Sequence, residues 1–140
     1  MDWTQFDKGI FLVNVLGIVY NPQTRQILIG KRENDLYIKE LSWVFPGGRP
    51  TYEGDLEDNL KAIIKDKTGL DADVKEVVFA KTYPEKREFL SVYFCCISSG
   101  QETKTGKDFT ELRWVKPTEV QKHFTTSLHP KLLEYLKTLE

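Results

Sequence analysis

The sequence predicts an α/β (α+β) fold in which a mixed central sheet lies between helices on both faces. Three observations carry this expectation. β-Branched and aromatic runs recur along the 140 residues, separated by turn residues. One stretch between them, Asp55 to Thr68, changes to a helical period. And Arg87 to Ser98 is apolar on both faces, as a strand covered on two sides must be.

Ile10 to Tyr20 is β-branched and stops at Asn21-Pro22, which reads as a strand and a turn. Arg25 to Lys31 is its hairpin partner across Asn21-Pro22-Gln23-Thr24. The polar segment Arg32 to Glu40 leads to a short strand, Trp43-Val44-Phe45, that runs into the turn Pro46-Gly47-Gly48. In the helix, Leu56, Leu60, Ile63 and Ile64 fall at i, i+4, i+7 and i+8, and Gly69 stands where a helix-ending glycine belongs. Val74 to Tyr83 and Arg87 to Ser98 are strands joined at Pro84-Glu85-Lys86. Leu90, Val92, Phe94 and Cys96 share one face of the latter, with Phe89, Tyr93, Cys95 and Ile97 on the other. Ser99 to Lys107 is a polar loop and Leu112 to Val115 a last strand. Pro117 to Phe124 is a short helix with proline at its first position. Pro130 to Leu139 is another, with Leu132, Leu133, Leu136 and Leu139 as its apolar stripe.

Composition narrows the function classes. Hydrophobic residues make up 40% and charged residues 29%, as in a soluble globular chain. At this length about two thirds of the unfolded surface is buried, so no stapling metal or disulfide is required. With no repeat, low-complexity tract or linker, residues 1–140 are expected to form a single domain. Lys plus Arg number 20 and Asp plus Glu 21, for a net charge of −1. That balance excludes a protein built mainly to grip long nucleic acid, but leaves room for a local cation cluster on a small phosphorylated ligand. No apolar run reaches the roughly 20 residues that span a bilayer. The start, Met1-Asp2-Trp3-Thr4, lacks the charged-then-apolar design of a signal peptide. Cys95 and Cys96 are strand neighbours pointing to opposite faces, hence poor disulfide partners and packed thiols of a reducing, cytoplasmic setting.

The stretch from Gly47-Gly48-Arg49 through Glu53-Gly54-Asp55 and the helix to Gly69-Leu70 resembles the Nudix box. That box is a double glycine, a loop, and a helix bearing Arg-Glu and Glu-Glu pairs that ends at glycine plus an aliphatic residue. The spacing from Gly48 to Gly69 matches without a gap, and the strands on either side extend the resemblance over nearly the whole chain. The resemblance implies a Nudix-type α/β/α sandwich. It also implies a Mg²⁺-dependent hydrolase acting on a nucleoside diphosphate linked to another group, such as a sugar, and often a homodimer.

At the positions that carry this chemistry the sequence departs from the box. The Arg-Glu pair falls on Ala62-Ile63, the Glu-Glu pair on Asp66-Lys67, and the Gly-Glu pair at the helix start appears as Glu53-Gly54. Hard cations need several oxygen ligands. Ile63 offers none, and Lys67 puts a positive charge where a dication would sit. At about 100° per residue, Asp55, Asn59, Ala62 and Asp66 form a neighbouring stripe with two carboxylates and an amide oxygen. Glu57 and Asp58 complement the helix dipole.

Gly30-Lys31-Arg32 and Gly48-Arg49 also resemble the GDP-mannose mannosyl hydrolase branch of the family, whose matching arginines contact the diphosphate. A guanidinium suits that role because its planar fork grips phosphate oxygens in pairs. The branch's loop histidine falls on Phe109, beside Asp108, with Glu111 as a weaker acidic candidate.

Two functions follow. In the first, a hydrolase, Arg32, Arg49 and the Gly47-Gly48 backbone bind the diphosphate. Asp66, Asp108 and Glu53 hold Mg²⁺, and Asp66, Asp108 and Arg32 carry the catalysis. In the second, an inactive module of the same fold binds a nucleotide or a protein partner, and Lys67 touches phosphate directly in place of a metal. Trp3, Phe6 and Tyr37 are expected near the mouth of the site, Trp43 and Trp114 in the core, and His123 and His129 at the surface or in caps.

Overall fold

The structure, a computed structural model, describes residues 8–33, 42–100, 102–106, 108–126 and 128–140. Strands β1 (Leu12–Asn21), β2 (Gln26–Lys31), β3 (Trp43–Val44) and β4 (Gly47–Gly48) precede helix α1 (Leu56–Thr68). Strands β5 (Asp73–Tyr83), β6 (Lys86–Ile97) and β7 (Glu111–Val115) follow, and then helices α2 (Val120–His123) and α3 (Pro130–Lys137).

The described strands form one sheet in the order β3-β2-β1-β6-β5, with β4 paired to β1 and β7 to β2. β1 and β6 run parallel, whereas β1–β2, β1–β4, β2–β3, β2–β7 and β5–β6 are antiparallel, so the sheet is mixed. β6 lies between β1 and β5, the central place its two apolar faces demand.

Alternation along the strands sorts the core into two layers. Ile18, Ile27, Ile29 and Tyr93 face Val120, Leu132 and Leu136 of the C-terminal helices. Val15, Val19, Leu28, Phe94 and Cys96 face Leu60 and Ile64 of α1. Helices thus cover both faces, and the α/β/α sandwich is present. The two cysteines are free, Cys96 buried and Cys95 half-buried.

Local details differ from expectation for identifiable reasons. β1 begins at Leu12, because Ile10 and Phe11 lie outside the sheet and are 66% and 55% exposed. Leu56 stands in the first turn of α1, too far from the sheet to be covered, so Leu60, Ile64 and Thr68 carry the buried stripe. Thr68 is tolerated there because its hydroxyl donates to the Ile64 carbonyl at 2.6 Å and accepts from the Leu70 N–H at 3.2 Å. The expected helix over 117–124 is split. Pro117–Glu119 is a 3-10 turn and only Val120–His123 is α-helical.

Gly69 ends α1 in the left-handed conformation, φ 79°, with its N–H on the Lys65 carbonyl at 2.9 Å. Among the described residues no helix is long and apolar enough to cross a membrane.

Candidate ligand-binding site

Four segments meet at one end of the sheet: the close of β2, the Gly47-Gly48 strand, the last turn of α1 and the loop before β7. Gly47 comes so near β1 that a Cβ there would lie 2.2 Å from the Val15 carbonyl oxygen, so only glycine fits. The loop before β7 is tied to α1 through the N–H of Lys104 to the Thr68 carbonyl at 2.8 Å and of Gly106 to the Lys67 carbonyl at 3.0 Å. It is tied to β2 by the Thr110 N–H to the Lys31 carbonyl at 2.9 Å, and Phe109 packs over the bare Cα of Gly30.

Lys67 sits at the centre of this junction. Its side chain is 17% exposed, and its ammonium donates to the Gly47 carbonyl at 2.7 Å and pairs with Asp108 Oδ2 at 3.0 Å. One cation thereby joins α1, β4 and the loop before β7.

A cavity of about 210 Å³ opens beside it. Arg32, Arg49, Lys67, Gly47 and Gly48 line it. Phe45, Phe89, Tyr93, Phe109 and Phe124 supply aromatic walls. Asn14, Ser91 and Thr126 also line it. Tyr93 is buried, and burial together with its hydrogen bond to Tyr83 holds its phenol well above the usual range. It is a neutral hydrogen-bonding group there, not a base.

The structure thus brings together Arg32, Arg49, Gly47, Gly48 and Lys67 around one cavity, with Asp108 against Lys67. Asp66 is exposed on α1, and its side chain does not line the cavity. Glu53 is also exposed and outside it, in a turn where its N–H meets the Thr51 hydroxyl at 3.3 Å. Asn59 is committed elsewhere. Its Oδ1 accepts from the Thr51 N–H at 2.8 Å and its amide nitrogen donates to the Asp55 carbonyl at 3.0 Å, which shapes the 51–55 loop. Glu111 pairs with Arg113 at 2.6 Å.

These residues do not fit a divalent ion. The Gly47 carbonyl and the Asp108 carboxylate are the hard oxygens such an ion would seek, and an ammonium already lies within 3.0 Å of both. Among the described residues, no three of His, Cys, Asp or Glu converge as metal donors.

The aromatic and histidine expectations divide. Trp43 is 9% exposed in the core, flanked by His123 edge-on at 5.7 Å and by the Arg113 guanidinium at 4.9 Å. Trp114 packs against the layer under α1. His129 caps α3, its Nδ1 accepting from the Lys131 N–H at 3.1 Å. Trp3, Phe6 and Tyr37 lie outside the described residues. Ser91 and Asn14 are absent from the sequence-derived site. Their trace in the sequence is one polar residue, Ser91, set between Phe89 and Tyr93 on an otherwise apolar strand face.

Comparison with known proteins adds the family. The model of the NUDIX domain matches residues 11–136. No curated protein of similar sequence is found. Among solved structures, a MutT protein from Methanosarcina mazei Go1 is similar with a TM-score of 0.73 at 14% identity, over 94% of this chain and 96% of that one. An ADP-ribose pyrophosphatase from Streptococcus suis gives 0.63 at 18% identity, over 91% and 87%. The NUDIX domain of Shewanella oneidensis NrtR, complexed with ADP ribose, gives 0.66 at 15% identity, over 98% and 96%. At these identities the likeness speaks for the fold, while the family model spans nearly all of the chain; the protein belongs to the NUDIX domain family.

Proposed function

We propose that the protein is a metal-independent binding module for a nucleoside diphosphate derivative, in which the Lys67 ammonium does the charge-neutralising work that family hydrolases generally assign to a divalent ion. The observation that carries this is the position of Lys67, within 3.0 Å of both the Gly47 carbonyl and Asp108 beside the cavity. Arg32 and Arg49 line the same cavity and supply two guanidinium forks for phosphate oxygens. The glycine backbone lets a ligand approach closely. The cavity's aromatic walls suit the rest of a nucleotide.

ADP-ribose is the natural first probe, because one structural neighbour is an ADP-ribose pyrophosphatase and another holds ADP ribose. Calorimetry with ADP-ribose in a chelating buffer, and then with Mg²⁺, is the test. Binding in chelator that Mg²⁺ changes by less than about threefold, with no phosphate-ester product, supports the module. Binding that appears only with Mg²⁺, or steady turnover, overturns it.

Turnover would favour the competing reading, a Mg²⁺-dependent hydrolase drawing on Asp66, Asp108 and Glu53, whose support is family membership. In that case Asp66→Asn would abolish product formation. In the module it leaves ADP-ribose affinity unchanged.

A further inference from the structure

The chain has two histidines, and the fold sets them at the two ends of one wall of the cavity. His123 closes α2 and leads into Phe124, while His129 follows Leu128 and caps α3. Phe124, Thr126 and Leu128 all line the cavity.

Hydrogen bonds fix where each ring carries its proton. Nε2 of His123 lies 3.4 Å from a terminal nitrogen of Arg113. A guanidinium only donates, so that Nε2 is bare, and the proton sits on Nδ1, which donates to the Glu119 carbonyl at 3.1 Å. Nδ1 of His129 accepts the Lys131 N–H at 3.1 Å, so it is bare too. Both imidazoles are therefore neutral here, and a second proton on either takes away an acceptor that the fold is using.

The surroundings do not welcome that proton. From β7, Arg113 would face an imidazolium at His123, and the nearby Glu111 is already held by Arg113 at 2.6 Å. β3 presents only the Trp43 ring, and α2 itself adds another cation, Lys122. At His129 the new charge would stand at the positive end of α3. β5 presents the Phe79 ring at 4.8 Å, while its charged Glu76 and Lys81 act on Tyr135 and Tyr83.

We infer that His123 and His129 are positioning residues that make this wall of the cavity pH-sensitive, seating Phe124 and Leu128 while both rings are neutral and loosening them as the rings gain protons. Histidine changes charge between about pH 8 and pH 5, so the change falls in that window. The native fold uses the bare nitrogens and the unfolded chain does not, so this contribution to stability is lost as pH falls. The effect on ligand affinity rests on the diphosphate reading above; the effect on the wall does not.

The test compares wild type with His123→Gln/His129→Asn at about pH 8 and about pH 5.5. Glutamine keeps a donor and an acceptor, asparagine is a good helix cap, and neither titrates. ADP-ribose in chelating buffer is the probe, because neither of its phosphates changes charge in this range. Wild type should bind it about fivefold or more weakly at the lower pH, and the double variant should change by less than about twofold. His123→Ala should bind weakly at both. Without ligand, proton NMR of wild type should show the Phe124 ring and Leu128 methyl signals following the two imidazoles, and the denaturant midpoint should fall more with acid than in the double variant.

An equal response to pH in wild type and double variant overturns the inference. So do Phe124 and Leu128 signals that stay fixed while the imidazoles titrate, a result that needs no variant to fold. Wild type that binds no ADP-ribose at either pH overturns the diphosphate reading, and the NMR titration then decides the wall alone.

Discussion

The Lys67 ammonium lies 2.7 Å from the Gly47 carbonyl oxygen, a bond that spans 20 residues and fastens the end of α1 to the glycine strand. Charge-assisted bonds of this kind, half shielded from water, contribute more than exposed ion pairs do. Lys67→Met keeps the length of the side chain and removes the charge. Loss of its bonds to Gly47 and Asp108 is expected to lower stability by about 1–3 kcal/mol, read from the denaturant midpoint. The same variant should bind ADP-ribose at least about tenfold more weakly if the ammonium faces phosphate.

Asp108→Asn makes the opposite change at the same contact. The carboxylate at 3.0 Å now offsets the charge of Lys67. An amide retains an acceptor oxygen without the negative charge. Pyrophosphate affinity should therefore rise severalfold, by about 1 kcal/mol or less because the Asp108 side chain is itself 39% exposed, and calorimetry at two salt concentrations should show a steeper salt dependence.

Gly47→Ala tests the close approach of β4 to β1. The added methyl would lie 2.2 Å from the Val15 carbonyl and 2.5 Å from Leu16 Cδ2, and the first of these is backbone that cannot turn aside. A loss of about 3 kcal/mol or more is expected, visible as a lower melting temperature or as insoluble protein. A variant as stable as wild type would mean that the two strands are further apart.

Alkaline pH should destabilise the fold. Burial pushes the Cys96 thiol from 9.0 up to about 12, and burial also raises the Tyr93 and Tyr135 phenols well above 10.0. In the unfolded chain these groups ionise at their ordinary values. Above about pH 9 the unfolded state therefore binds fewer protons than the folded one, and stability falls as pH rises. The contribution is whole below about pH 9 and is lost progressively towards pH 12 and beyond. Denaturant midpoints measured across that window should decline steadily. In the native protein at neutral pH, Cys96 should resist alkylation.

Much of this was legible because it is local. Apolar runs bounded by turn residues mark β1, β2 and the doubly apolar β6, and the period shift at Leu60 and Ile64 marks α1. The Gly69 cap needs no distant partner to be read, whereas Gly47-Gly48, expected as a turn, is a strand because it pairs with Val15 and Leu16 of β1. The site was legible only in part. That Lys67 replaces a carboxylate is visible in the sequence, but which oxygens it engages depends on how β4 and the loop before β7 fold over α1. Asn59 looked like a donor on a helix stripe and proves to be a loop clamp, because its amide meets Thr51 before any ligand could. Ser91 was hidden by its own surroundings, since the sequence does not show which strand face a cavity will open beside.

The pairing of Lys67 with Asp108 also bears on which molecules the protein accepts. Asp108 is a tethered anion already seated on the cation, so an arriving ligand competes with a neighbour of high effective concentration. A monoanion offers the ammonium no more than the carboxylate does and gains little by the exchange. A diphosphate brings several charges and can engage Arg32 and Arg49 at the same moment. In the proposed binding module the ion pair would therefore act as a charge threshold, favouring polyanions of the right span over small carboxylates.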